Sequence, residues 1–269
     1  PILFHVGPVP IRAYGVMIMI GFFVALRYAM AEARRMSAGD ADDRSAITPD
    51  HIFDMSIFGL VAGIIGTRVV YVALNWSSFA DNPIEALKIW TGGLSFIGAP
   101  IFGFGYAWIY CRRHHLSFLS AADIGAPGFA LGYTFGRIGC FLNGCCHGHA
   151  CSLPWGVRFH TNGAADILTP PSHPTQIYAA LMSIGIFAVL HRLRRRPHRD
   201  GEVLLTYFIL YAVYRFINDF FRSGATSKVM AFGLTDGQLV AIVALPVLAY
   251  LMRRLRSRKG GQPVELSSS

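Results

Sequence analysis

The sequence is poor in charge. Only 14% of its 269 residues are Asp, Glu, Lys or Arg, where a soluble globular domain carries about 25%. That shortage excludes an intrinsically disordered chain and a charged coiled coil. Five Cys in a chain of this length exclude a small disulfide scaffold. No Gly-rich phosphate loop is present, so ATP dependence is not expected. No basic stretch or small-residue cleavage site precedes the first apolar run. A cleaved signal peptide is therefore not expected, and that run reads as a retained span. What the chain has in excess is apolar residues, 53% of the total, with a mean hydropathy of +0.43. This composition fits a polytopic membrane protein.

Seven apolar segments are long enough to be spans: 13–31, 51–74, 93–111, 121–140, 174–191, 202–221 and 234–252. The expected fold is all-α, with seven transmembrane helices. Residues 1–255 form one membrane domain, and 256–269 form a disordered tail. The net charge of +9 does not point to nucleic acid, because the basic residues come in bursts between spans. Arg34, Arg35 and Arg44 follow the first span, and Arg112 and Arg113 the third. Arg192, Arg194, Arg195, Arg196 and Arg199 follow the fifth. Arg253, Arg254, Arg256, Arg258 and Lys259 follow the seventh. These are 15 of the 24 Lys and Arg. The alternate loops hold few, among them Lys88, Arg158, Arg222 and Lys228. The positive-inside rule then predicts a periplasmic N-terminus and a cytoplasmic C-terminus. The long loop 141–173, which holds most of the Cys, lies on the outer side. Small residues at helical spacing, Gly128, Gly132 and Gly136 and again Gly59 and Gly63, predict close helix packing.

Arg68, Arg137, Arg215 and Asp219 fall within or at the ends of apolar segments. An Arg at the bilayer centre costs at least about 2.5 kcal/mol, so such residues face partners or a wet cavity. Asp219 is four residues after Arg215 and offers it a partner. Arg137 sits among glycines with no acidic neighbour. Guanidiniums converging in the outer half would bind an anion, and the natural anion there is a phospholipid headgroup. Arg27 and Arg222, near span ends, read as structural.

The densest motif is Gly136-Arg137-Ile138-Gly139-Cys140-Phe141-Leu142-Asn143-Gly144-Cys145-Cys146-His147-Gly148. It resembles the signature of the prolipoprotein diacylglyceryl transferase family of the bacterial inner membrane. Further pieces match that family in order. They are Ile11-Arg12-Ala13-Tyr14-Gly15, Gly66-Thr67-Arg68 with Tyr71, and Gly92-Gly93-Leu94-Ser95-Phe96. His173-Pro174-Thr175-Gln176-Ile177-Tyr178, Arg215 through Arg222, and Gly233-Leu234-Thr235 with Gln238 complete the set. The resemblance implies seven spans and a reaction. A diacylglyceryl group passes from phosphatidylglycerol to the lipobox Cys thiol of a preprolipoprotein signal peptide, and glycerol phosphate leaves. It implies Arg137 and Arg215 on the phosphate, with Asp219 orienting Arg215. Tyr14, Arg68, Asn143, Gly148, His173 and Gln176 would form the substrate surface. No cofactor or metal is implied, and the partners are membrane lipids and the signal peptide, bound by a monomer.

The chain departs from the family pattern at four positions. Ile97 stands where the family has a His proposed to help activate the thiol. Cys140 and Cys145 replace the signature Asn and Glu, and Ala179 replaces a Glu. His147, His149 or His173 is then the candidate base, and His147 and Cys140 join the arginines as catalytic candidates. Cys140, Cys145, Cys146 and Cys151 read first as a disulfide or structural cluster, second as catalytic, third as a metal site. Their spacing fits no standard metal template. Cys111 reads as a plain thiol, and His114, His115, His191 and His198 as solvated charge. Two alternative functions stand beside the transferase. One is a paralogous enzyme with another acceptor, and the other a non-catalytic lipid- or metal-binding protein centred on the Cys and His cluster.

Overall fold

The computed structural model describes residues 2–6, 9–37, 46–80, 82–88, 92–160, 168–223, 230 and 233–257. Arg44, Lys228, Arg258, Lys259 and the tail beyond Ser257 lie outside the described residues. Seven α-helices are found among the described residues: α1 Ala13–Ser37, α2 Pro49–Leu74, α3 Gly98–Arg113, α4 Phe118–Leu142, α5 Thr175–Arg194, α6 Glu202–Asn218 and α7 Asp236–Ser257. Each falls on one of the seven apolar segments. Four of them, α1, α2, α5 and α7, are long and apolar enough to cross a membrane.

Differences from expectation include two boundaries and one further element. The segment expected from residue 93 becomes helical only at Gly98, because Gly92 and Gly93 take positive φ of 89° and 70° and cannot start a helix. The expected tail at 256–257 is the last turn of α7. The all-α reading also lacks a two-stranded antiparallel sheet, β1 Ile2–Val6 with β2 Val9–Arg12. Pro10 is tolerated there because each strand of a hairpin has an open edge.

Helix ends follow local chemistry. Thr48 caps α2, its hydroxyl accepting from the His51 amide at 3.4 Å, and Pro49 opens the first turn. Thr235 and Gln238 form a reciprocal capping box at the start of α7. The Gln238 side-chain oxygen accepts from the Thr235 amide at 3.0 Å, and the Thr235 hydroxyl accepts from the Gln238 amide at 3.2 Å.

The chain divides into two compact units. One holds residues 29–121. Within it α2 packs on α3 through small residues. A Cβ on Gly63 would meet the Ala99 carbonyl, and one on Gly66 the Gly98 carbonyl and Phe102. The other unit holds residues 1–28 and 122–269. There the small residues of α4 meet α1: Gly128 lies against Ala25, Gly132 against Gly21, and Gly139 against Tyr14 and Met17. The contact face thus runs Gly128, Gly132, Gly139, and a Cβ on Gly136 would meet nothing. Ala126, Ala130, Ala179, Ile186, Leu190, Val203 and Tyr214 form the core of α4, α5 and α6.

Asp123 was not singled out by sequence. It is 1% exposed, and its carboxylate accepts from the amides of Gly201 and Leu204, both at 2.8 Å, at the head of α6. Asp123→Ala would bury two donors at a cost of about 1–3 kcal/mol each. Asp123→Asn keeps one acceptor and should lose less. Thermal unfolding in detergent should rank wild type above Asp123→Asn above Asp123→Ala; an unchanged Asp123→Ala would remove the capping role.

Candidate functional site

The site in the unit of residues 1–28 and 122–269 is built around Asp219, which follows the last residue of α6. Its side chain has no exposure, and Arg215 Nη1 lies 2.9 Å from Oδ1. Arg222 Nε lies 3.9 Å from the same oxygen. The Thr235 hydroxyl donates to Oδ2 at 2.7 Å. One carboxylate thus joins the end of α6 to the head of α7. Gly237 permits the approach, since a Cβ there would run into the Asp219 carboxylate and the Arg215 guanidinium. The Arg215–Asp219 pair is as expected. Arg222, read from sequence as a span-end residue, is 4% exposed and belongs to the same cluster; its spacing of three from Asp219 was the available signal.

Arg137, on α4, lies over the Tyr133 ring with its guanidinium carbon 4.6 Å from the centroid. Among the described residues no carboxylate pairs with it. The Tyr133 and Tyr214 hydroxyls are 3.4 Å apart, and the Asn218 amide donates to Tyr214 at 3.2 Å. Tyr211 stands edge-on to Tyr133 and lies within the field of both Arg137 and Arg215. Sequence reading missed this tyrosine framework, because spacing on α6 does not say which face meets α4.

Beyond α4 the chain turns back at Gly144, φ 71°, and at Cys146, φ 65°. A positive φ at a non-Gly residue is strained and needs support. Support comes from the start of α5. The Gln176 amide donates to the Cys145 carbonyl at 2.7 Å, and the Thr175 hydroxyl to the Cys146 carbonyl at 2.8 Å. Gln176, expected on the substrate surface, is 1% exposed, and its Oε1 accepts from no described residue. The sulfurs of Cys140, Cys145 and Cys146 lie within 4.8 Å of one another. All five cysteines are free thiols, so the disulfide reading is corrected, and Cys151 stands outside the group. The hydrogen bond from the Cys140 thiol, with the charges of Arg137 and Arg222, holds the Cys146 thiol below the usual thiol range against the effect of burial.

Tyr14 is 40% exposed and lies within the field of the three thiols. Asn143 follows the end of α4, its amide bonded to the Gly139 carbonyl at 3.0 Å. The His147 ring stacks on Phe159 at 5.2 Å, and its Nδ1 donates to the Gly148 carbonyl at 3.1 Å. A carbonyl can only accept, so the proton is on Nδ1 and Nε2 is the basic nitrogen. His173 Nδ1 lies 3.3 Å from the Tyr178 hydroxyl, which itself accepts from Trp155 at 2.9 Å. The Tyr178 proton is thus available to Nδ1. His149 is exposed.

Other residues are committed elsewhere. Arg68, in the unit of residues 29–121, donates to the carbonyls of Glu85, Ala86, Gly92 and Gly93 at 2.6–3.0 Å. A cavity of about 300 Å³ lies beside it, lined also by Tyr71, Phe79 and Lys88. Of the histidines expected as solvated charge, His114 and His115 are exposed, whereas His191 is partly buried and His198 is buried. His114 stacks on Tyr110 at 4.2 Å, His191 bonds to the Tyr28 hydroxyl at 2.9 Å, and His198 is 4% exposed. Cys111 is a buried free thiol against Met55.

Seven helices, several of membrane length, with arginines seated among them define a helical, membrane-type protein. A family model described as prolipoprotein diacylglyceryl transferase matches residues 1–253. The chain belongs to that family. It is 32% identical over 259 residues to the phosphatidylglycerol–prolipoprotein diacylglyceryl transferase of Clostridium tetani, covering 96% of this chain and 99% of the relative. It is 30% identical over 274 residues to the protein of that name from Pseudoalteromonas atlantica, covering 98% and 93%. With that of Photobacterium profundum it shares 34% over 225 residues, 82% of this chain and 80% of the relative.

Gly148 is walled in by the Phe221 carbonyl, the His173 Cβ and the Thr175 methyl. Its amide donates to the His173 carbonyl at 2.8 Å. Gly148→Ala should cost about 1–3 kcal/mol by overpacking, whereas Gly136→Ala should be tolerated. Equal melting temperatures for the two variants would contradict this account of Gly148.

Proposed function

We propose that this chain transfers a diacylglyceryl group from phosphatidylglycerol to the Cys thiol of a prolipoprotein. The thiol sulfur attacks the glyceryl carbon that bears the phosphate ester. The carbon–oxygen bond breaks, a thioether forms, and glycerol phosphate leaves carrying the electron pair. Membership of the family supports the reaction. The observation that carries the site is Arg137, a guanidinium seated on a tyrosine face, with no carboxylate to pair with among the described residues.

Arg137 and Arg215 hold the phosphate and stabilise the charge that grows on the leaving oxygen. Asp219 is a positioning residue, holding Arg215. Tyr14 and Asn143 orient the headgroup. The thiol must lose its proton, since the thiolate is the nucleophile. His147 Nε2 is the preferred acceptor, because Nδ1 is already committed to a carbonyl. His173 is the less favoured base, with Tyr178 offering a proton to its Nδ1. Gln176 and Gly148 support the loop that carries His147.

The seven helices cross the bacterial inner membrane with the N-terminus periplasmic and the C-terminus cytoplasmic. The basic residues that follow the odd-numbered spans support that orientation. The site then opens toward the periplasmic leaflet. One chain carries every residue used here, so a monomer suffices.

The test is release of glycerol phosphate from phosphatidylglycerol in nanodiscs, with and without a lipobox peptide. Release should depend on the peptide. It should fall by at least about 100-fold in Arg137→Ala, the scale of losing one transition-state donor, with melting temperature within a few degrees of wild type. Full turnover in folded Arg137→Ala would remove the phosphate role. For the orientation, a phosphatase reporter that is active only in the periplasm should be silent when fused after Ser257 and active in loop 141–173. The reverse pattern would invert the topology.

A further inference from the structure

The transfer reaction as proposed makes no use of Cys145 or Cys146, and leaves Cys140 without a part. We propose that Cys140, Cys145 and Cys146 form a binding site for a thiophilic d¹⁰ metal ion, Cu⁺ in preference to Zn²⁺.

Three sulfurs lie within 4.8 Å of one another. A metal–sulfur bond of about 2.3 Å in a trigonal arrangement sets sulfurs about 4 Å apart, so only small side-chain rotations separate this group from a ligand set. The backbone is already arranged for it. Successive side chains in extended chain point to opposite sides, and adjacent cysteines would normally diverge. Here the left-handed φ of 65° at Cys146 turns the chain so that both sulfurs face Cys140. That conformation is fixed by the hydrogen bonds from Gln176 and Thr175 to the two cysteine carbonyls, from side chains 1% and 2% exposed. A metal would find its ligands held by buried supports, the arrangement that gives selective sites.

Charge and donor type select the ion. Three thiolates on Cu⁺ carry a net charge of −2, and the guanidiniums of Arg137 and Arg222 act on Cys146 from nearby. Thiolate donors select soft ions such as Cu⁺ and Zn²⁺ over Mg²⁺ or Ca²⁺. No His, Asp or Glu completes the group among the described residues, and a three-sulfur set suits trigonal Cu⁺. Zn²⁺ prefers four ligands and would need a water as well. Binding displaces the thiol protons to solvent and needs no oxidant. The bound ion would clamp the end of α4 to the loop that α5 supports.

The full chain, purified in detergent under anaerobic reducing conditions and freed of reductant, is first checked for five titratable thiols. It is then loaded with Cu⁺ or Zn²⁺, and retained metal is measured against a chromophoric chelator. X-ray absorption counts the sulfurs around the ion. One equivalent of Cu⁺ with three sulfur neighbours is expected, with a higher melting temperature than the metal-free protein. Cys140→Ser and Cys146→Ser should each weaken binding by at least about 100-fold, since even residues that only support a metal ligand change affinity 10- to 100-fold. Cys111→Ser and Cys151→Ser should not weaken it. One equivalent of Zn²⁺ on the same three sulfurs plus an oxygen, with no Cu⁺ retained, would keep the site and overturn the choice of ion. The proposal is overturned if the reduced, folded wild type retains no metal, or if the triple Ser variant retains as much. It is equally overturned if absorption finds fewer than three sulfurs. The sulfur count is made on wild type, so the test survives a variant that fails to fold.

Discussion

The Asp219 carboxylate is the interaction on which the rest of the site depends. A buried carboxylate is tolerated only when its lone pairs are taken up by good partners. Arg215 pairs with it at 2.9 Å, the Thr235 hydroxyl donates to it at 2.7 Å, and Arg222 adds a second positive charge at 3.9 Å. Removing one partner of such a set costs about 3–5 kcal/mol, because the charge left behind stays buried. The arrangement therefore fixes more than itself. It sets the direction in which the chain leaves α6 and the point at which α7 begins. Thr235 is bound twice, once to Asp219 and once into the capping box with Gln238. Helix start and ion cluster are formed by the same hydroxyl.

From that anchor the order passes to α4 through neutral groups. Asn218 precedes Asp219 and donates to Tyr214, whose hydroxyl meets that of Tyr133, under the Arg137 guanidinium. A charged partner at Tyr133 would have neutralised Arg137. An aromatic face holds a guanidinium by its quadrupole without taking all of its N–H groups. The two arginines are thus held differently, Arg215 by a carboxylate and Arg137 by a ring. Both remain cations suited to a third charge.

The helices were legible because each apolar run must be long enough to bury its own backbone polar groups. Sequence therefore located all seven, and the ordered motifs from Tyr14 to Gln238 identified the family. The ends of elements were less legible where the backbone departs from the ordinary regions. Gly92 and Gly93 delay α3, and no hydropathy window responds to their φ. His191 illustrates the same limit. Neighbouring arginines suggested solvated charge, yet its partner Tyr28 lies 163 residues away in sequence and has no local signature. The thiol group was visible as composition but not as geometry. The turn at Cys146 depends on Thr175 and Gln176, about thirty residues downstream.

Arg68, buried, and Arg137, partly buried, show what a cation within an apolar helix can and cannot indicate. Both occur in apolar helices, and both match family motifs. Arg68 meets four backbone carbonyls and lies near the rings of Tyr71 and Phe79. A guanidinium has five N–H groups in a rigid fork, so Arg68 is largely saturated by its own unit and organises the chain between Glu85 and Gly93. Arg137 meets a ring and the hydroxyl that ring carries. The difference is one of supply: a guanidinium surrounded by carbonyls is a fastener, and one set on an aromatic face keeps donors for a ligand. Counting acceptors around each such Arg therefore distinguishes the two more sharply than burial or sequence motif does, and it is the ground on which Arg137 is proposed for the phosphate.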